Sequence, residues 1–89
     1  MNDKTQEIMD ILQEECGELV TAISKCRRFG LENNYKDGGT QRKHLTQEAG
    51  DVMLLIELLI EHGIFTEQEL HDAKVAKSNK LKQWSTIYS

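Results

Sequence analysis

The sequence predicts an all-α fold, on three observations. Its 89 residues contain no proline, which suits a chain made of helices. Apolar or small residues recur at three–four spacing at Ile8, Leu12, Leu19, Ala22 and Cys26, and again at Leu45, Val52, Leu55, Ile56 and Leu59, the period of an amphipathic helix. Gly30, Thr40, Gly63 and Thr66 fall between these stretches, where helices stop and start.

The first helix is expected over residues 3–29. Asp3 followed by Gln6 forms its capping pair, and Gly30 ends it just after Lys25, Arg27 and Arg28, whose charges suit the C-terminal dipole. Residues 31–41 are polar and carry Gly38-Gly39-Thr40, a mobile loop with Thr40 as the next cap. A second helix follows over about 41–62. From Val52 to Ile60 it is apolar on nearly all sides except at Glu57, so it needs cover on more than one side. After Gly63, Thr66 and Glu69 form a capping box, with Phe65 and Leu70 placed as a hydrophobic staple. That third helix runs to about Lys82, and Trp84 and Tyr88 of the tail are placed to pack on a neighbour.

Length points to a single domain, residues 1–89. A monomer of this size buries only about 60–65% of the surface its unfolded chain exposes. Cys16 and Cys26 read as reduced thiols on an apolar helix, so no disulfide makes up the deficit. Oligomerisation does so without a staple, as a dimer or tetramer. Fifteen acidic against 11 basic side chains give a net charge of −4, which argues against coating a nucleic-acid polymer. No apolar run is long enough for a membrane span, and the N-terminus lacks a signal-peptide pattern. The expected location is the cytoplasm.

The acidic residues stand where leucines belong. The stripe Ile8, Leu12, Leu19, Ala22 calls for a core residue at 15, and Glu15 is there. At 100° per residue, Glu14, Glu15 and Glu18 span about 100°, and Glu15 with Glu18 about 60°. In the second helix the same logic calls for a core residue at 48, and finds Glu48, with Asp51 one turn further. Buried carboxylates repel one another and cost several kcal/mol when unpaired. A hard cation turns that cost into a binding site, with Mg²⁺ first and Mn²⁺ as a substitute. A di-iron carboxylate bundle would want Glu-x-x-His pairs, and no glutamate here has a histidine three residues later.

Glu14-Glu15-Cys16-Gly17-Glu18 followed by Glu48-Ala49-Gly50-Asp51 resembles the E-E-x-x-E … E-x-x-D signature of the MazG-like all-α nucleoside triphosphate pyrophosphohydrolases. The resemblance covers about residues 6–82, and the Lys-Leu-Lys-Gln-Trp-Ser run is similar to small single-domain members from bacteriophages, which would act in the host cytoplasm. It implies a helical bundle completed by dimerisation, often as tetramers. It also implies hydrolysis of a (deoxy)nucleoside triphosphate to the monophosphate and pyrophosphate. By motif position, Glu15, Glu18, Glu48 and Asp51 would be metal ligands. Glu14 would orient or deprotonate the attacking water, or join a second metal site. By analogy the substrate leans to dGTP or GTP.

A triphosphate also needs cations. Lys77 interrupts the apolar series Leu70, Ala73, Leu81, Trp84, with Lys74 one turn earlier, and both are candidates for phosphate. Lys25 is another, Asn79 is placed for phosphate or sugar, and Arg42 and Lys43 at a helix start hint at a nearby anion. Ile8, Ile11 and Leu12, with residues of a partner chain, are the expected surface for the base. His44, His62 and His71 lack metal-ligand spacing and read as surface or capping residues. Two other functions fit the same residues: a non-catalytic helical nucleotide-binding or dimerisation module, and a phosphoribosyl-ATP pyrophosphohydrolase-like enzyme.

Overall fold

The structure, a computed structural model, describes residues 1–34 and 38–89. The expected loop over 31–41 falls partly on residues 35–37, outside the described residues. Among the described residues the elements are α1 (Asp3–Phe29), α2 (Gln41–Glu61) and α3 (Glu67–Trp84), with one isolated backbone bridge between Asn34 and Thr40. The fold is all-helical, as the periodicity implies. None of these helices is long and apolar enough to cross a membrane.

Local chemistry accounts for the helix ends. α1 starts at Asp3, but its cap is Asn2, whose Oδ1 accepts from the Thr5 amide at 2.8 Å. Gln6 does not complete a capping pair with Asp3, because its side chain donates to Asp10 one turn on. Gly30 closes α1 at φ 90, a backbone that disfavours any residue with a Cβ. Thr40 Oγ1 caps α2 by accepting from the Lys43 amide, and His62 Nδ1 lies 2.9 Å from the Leu58 carbonyl at the other end. Both halves of the Thr66–Glu69 capping box form, at 3.0 and 2.9 Å. α3 then continues two residues past Lys82.

α1 and α2 pack as an antiparallel hairpin. Ile8 meets Leu55 and Leu59 near the open end, and Cys26 Sγ reaches the Gln41 carbonyl at 3.5 Å near the closed end. Buried Gln41 ties the hairpin shut: its amide donates to the Asn33 carbonyl and its side chain to the Asn34 carbonyl. Ile8, Leu55 and Leu59 form the core, lined by Met9, Leu12, Leu58 and Phe65.

α3 makes almost no contact with this pair and has no buried residue. The Cα frame measures 40 × 38 × 14 Å, with a radius of gyration of 15.9 Å. A compact chain of this length has about 12 Å. The accessible surface of 6887 Å² exceeds the roughly 5300 Å² of a compact monomer of this mass. Val20, Met53, Leu54 and Trp84 are more than half exposed.

Leu59 is 3% exposed, so Leu59→Ala should cost about 2–4 kcal/mol in urea unfolding followed by circular dichroism. A loss of under about 0.5 kcal/mol, typical of surface positions, would show that the hairpin is not the core.

Candidate active site

The antiparallel register sets Glu15 of α1 against Glu48 and Asp51 of α2. Each offers a carboxylate oxygen, and the three lie within 4.8 Å of one another. Glu15 and Glu48 are half-buried and Asp51 is exposed. Glu48 and Asp51 share a face because they are three residues apart. Glu15 joins them because it fills the gap in the stripe that packs on α2.

Crowding has an electrostatic cost. The Glu15 pKa is raised above its ordinary value, first by burial, then by the charge of Asp51, then by hydrogen bonding to and the charge of Glu48, and last by Glu14. Glu48 Oε2 is buried with no hydrogen-bond partner among the described residues. A proton or a cation answers both features. Three carboxylates with no nitrogen or sulfur donor among them suit a hard divalent ion.

Glu14 and Glu18 are exposed and outside this group of three. Glu14 is close enough for its charge to act on Glu15. Glu18 lies one turn from Glu15 on α1. An open pocket of about 260 Å³ adjoins the acids, lined by Ile11, Glu15, Asp51, Leu54 and Leu55. That is below the roughly 300–1,000 Å³ of small-molecule sites, so this pocket as lined by the described residues does not enclose a nucleotide.

Of the residues expected to meet the base, Ile11 lines this pocket. Ile8 does not reach it, being buried against Leu55 and Leu59, and Leu12 is half-buried beside them. Lys74, Lys77 and Asn79 lie on α3, which is not packed against the helices that carry the acids. Lys74 instead lines a groove of about 310 Å³ between α2 and α3, with Met53, Ile56, Ile60 and Leu70. Lys77 Nζ sits 4.9 Å from the Trp84 ring centroid, a cation–π contact. Lys25 is half-buried on α1. Arg42 is ion-paired with Glu32, so its charge at the helix start is already answered.

The reading of His44 as a surface or capping residue is corrected. It is buried, and its Nε2 lies 3.3 Å from Glu48 Oε1, with side-chain exposures of only 9% and 14%. The signal was present as His-x-x-x-Glu, since residues four apart on a helix face one another. His62 does cap, and His71 is exposed.

The family model of the MazG nucleotide pyrophosphohydrolase domain matches residues 3–83. The chain belongs to that family. No match was found among curated proteins or among solved structures. Membership in the MazG family brings nucleotide pyrophosphohydrolase activity as the general reaction class, and general dependence on divalent metal. In this MazG chain the matched region contains all three clustered acids.

A raised Glu15 pKa means that the folded, metal-free protein disfavours the ionised form. Its contribution to stability is full below the ordinary value of 4.5 and is lost as pH rises through the raised one. Glu15→Gln should therefore melt with the wild type at low pH and above it at neutral pH, without metal. Mg²⁺ should raise the melting temperature of the wild type at neutral pH more than that of Glu15→Gln. Parallel melting curves across pH, with equal Mg²⁺ responses, would contradict the crowding.

Proposed function

We propose that this protein is a Mg²⁺-dependent hydrolase of (deoxy)nucleoside triphosphates that releases the monophosphate and pyrophosphate. The observation that carries the reading is the convergence of Glu15, Glu48 and Asp51 from two antiparallel helices. These three, with Glu18 swung in from one turn away, would hold the ion, and Mn²⁺ would substitute. A bound divalent ion supplies charge neutralisation for the phosphates, which phosphoryl transfer needs more than a protein nucleophile.

Glu14 is assigned the proton. It is an exposed carboxylate beside the cluster, placed to accept a proton from water as water attacks the triphosphate. The bond that breaks is the α–β phosphoanhydride, and pyrophosphate leaves. Ile11 and Leu54 offer an apolar surface next to the acids, suited to the base. A purine deoxynucleotide such as dGTP is the substrate to try first.

The site is completed by a second copy of the chain, in a dimer or tetramer. The surface excess over a compact monomer exceeds the roughly 800 Å² per partner of a standard interface. Gly17 and Gly50 lie inside helices, where glycine costs about 1 kcal/mol relative to alanine, yet a Cβ on either would meet nothing within 4 Å in the single chain. Close approach by another chain gives those glycines a reason. A partner's α3 would also bring Lys74, Lys77 and Asn79 to a triphosphate, with Lys25 contributed from α1.

Three measurements test this. Glu15→Gln, Glu18→Gln, Glu48→Gln and Asp51→Asn should each lower kcat/KM by about 100-fold or more at low Mg²⁺, as expected for loss of a charged ligand. Phosphorus NMR of the wild-type reaction should show monophosphate and pyrophosphate, whereas orthophosphate with nucleoside diphosphate would overturn the assignment. Light scattering at micromolar concentration should give at least twice the chain mass, and a stable monomer would refute the assembly.

A further inference from the structure

We propose that His44 is a positioning residue, holding one oxygen of Glu48 so that the other is presented to Glu15 and Asp51. The inference rests on the reading of those acids as a divalent-cation centre and adds a residue that the centre's acidic motif does not contain.

The first observation is burial. In a chain with so small a core, His44 is one of three buried polar residues among those described. A buried imidazole must be hydrogen-bonded to be tolerated, and packing alone at this position is served better by leucine. His44 lies one turn before Glu48 on α2, and its Nε2 stands 3.3 Å from Glu48 Oε1. A carboxylate oxygen only accepts, so a hydrogen bond across that contact would carry its proton on Nε2.

The second observation is the division between the two oxygens of Glu48. Oε1 faces the imidazole, while Oε2 is buried with no hydrogen-bond partner among the described residues. One carboxylate oxygen from each of Glu15, Glu48 and Asp51 lies within 4.8 Å of the other two, and ionised Glu15 and Asp51 offer no donor. Glutamate has three side-chain torsions, and a hydrogen bond to one oxygen removes most of that freedom. Glu48 is thus held as a ligand with one available oxygen. Outer groups that orient a ligating side chain in this way typically contribute 10–100-fold in metal affinity.

The test uses the full chain with Mn²⁺ as probe, its binding followed by electron paramagnetic resonance beside a melting curve for each variant. His44→Phe keeps the volume and removes the donor, and should weaken Mn²⁺ binding about 10–100-fold. His44→Gln can still donate to a glutamate one turn on, and should stay within about threefold of the wild type. A purely structural histidine would move the melting temperature and leave the Mn²⁺ affinity of the folded protein alone. Wild-type affinity in a folded His44→Phe, or equal loss in both variants, overturns the proposal. Asp51→Asn serves as control. If it loses Mn²⁺ while His44→Phe does not, only the positioning role falls; if the wild type binds no Mn²⁺, the cation centre falls with it. Should His44→Phe fail to fold, ¹⁵N spectra of the wild-type imidazole decide, since an Nε2 without a proton in the Mg²⁺-loaded protein refutes the hydrogen bond.

Discussion

Repulsion among three carboxylates in the seam of a two-helix hairpin is the constraint around which the chain is organised. Glu15 and Glu48 stand where the helical pattern calls for an apolar residue, and Asp51 joins them from one turn beyond Glu48. The hairpin holds them there by anchoring both ends. Ile8, Leu55 and Leu59 clamp one end, and Gln41 with Cys26 ties the other. The acids lie between two fixed points, so they cannot relieve their crowding by sliding the helices apart. What relief remains is chemical: a proton on Glu15, or a cation shared by all three.

The carboxylate cluster was legible in the sequence because it breaks a pattern that is otherwise kept. An apolar stripe predicts its own missing members, and Glu15 and Glu48 stand in those gaps. Helix ends were legible for the same local reason, down to the Thr66–Glu69 box. The cap of α1 was misplaced by one residue because Asn2 and Asp3 are both good caps, and only the backbone decides which amide each can reach. His44 was not legible as a partner of Glu48, because the three histidines lack metal-ligand spacing and the Glu-x-x-His order of di-iron sites places the histidine after the acid. Its reverse, with the histidine one turn ahead of the acid, brings the two side chains together as well.

The direction of α3 was not legible. Gly63, at φ 78, breaks the chain between two helices, but nothing in its neighbourhood encodes the angle at which the next one leaves. In tight bundles that angle follows from the apolar face of the departing helix. α3 has a weak face, with Leu70 and Leu81 half-buried and Val75 exposed, so burial within its own chain does little to direct it. The lysines singled out from the pattern therefore lie on a helix that stands apart from the acids.

That detachment bears on where the described chain opens first. In proteins most helical stability comes from packing an apolar face, and α3 has no buried residue to supply it. Local opening costs least where few apolar contacts must be broken. Among the described helices, α3 is therefore the one whose amide hydrogens exchange soonest, while the Ile8, Leu55 and Leu59 end of the hairpin holds its own longest.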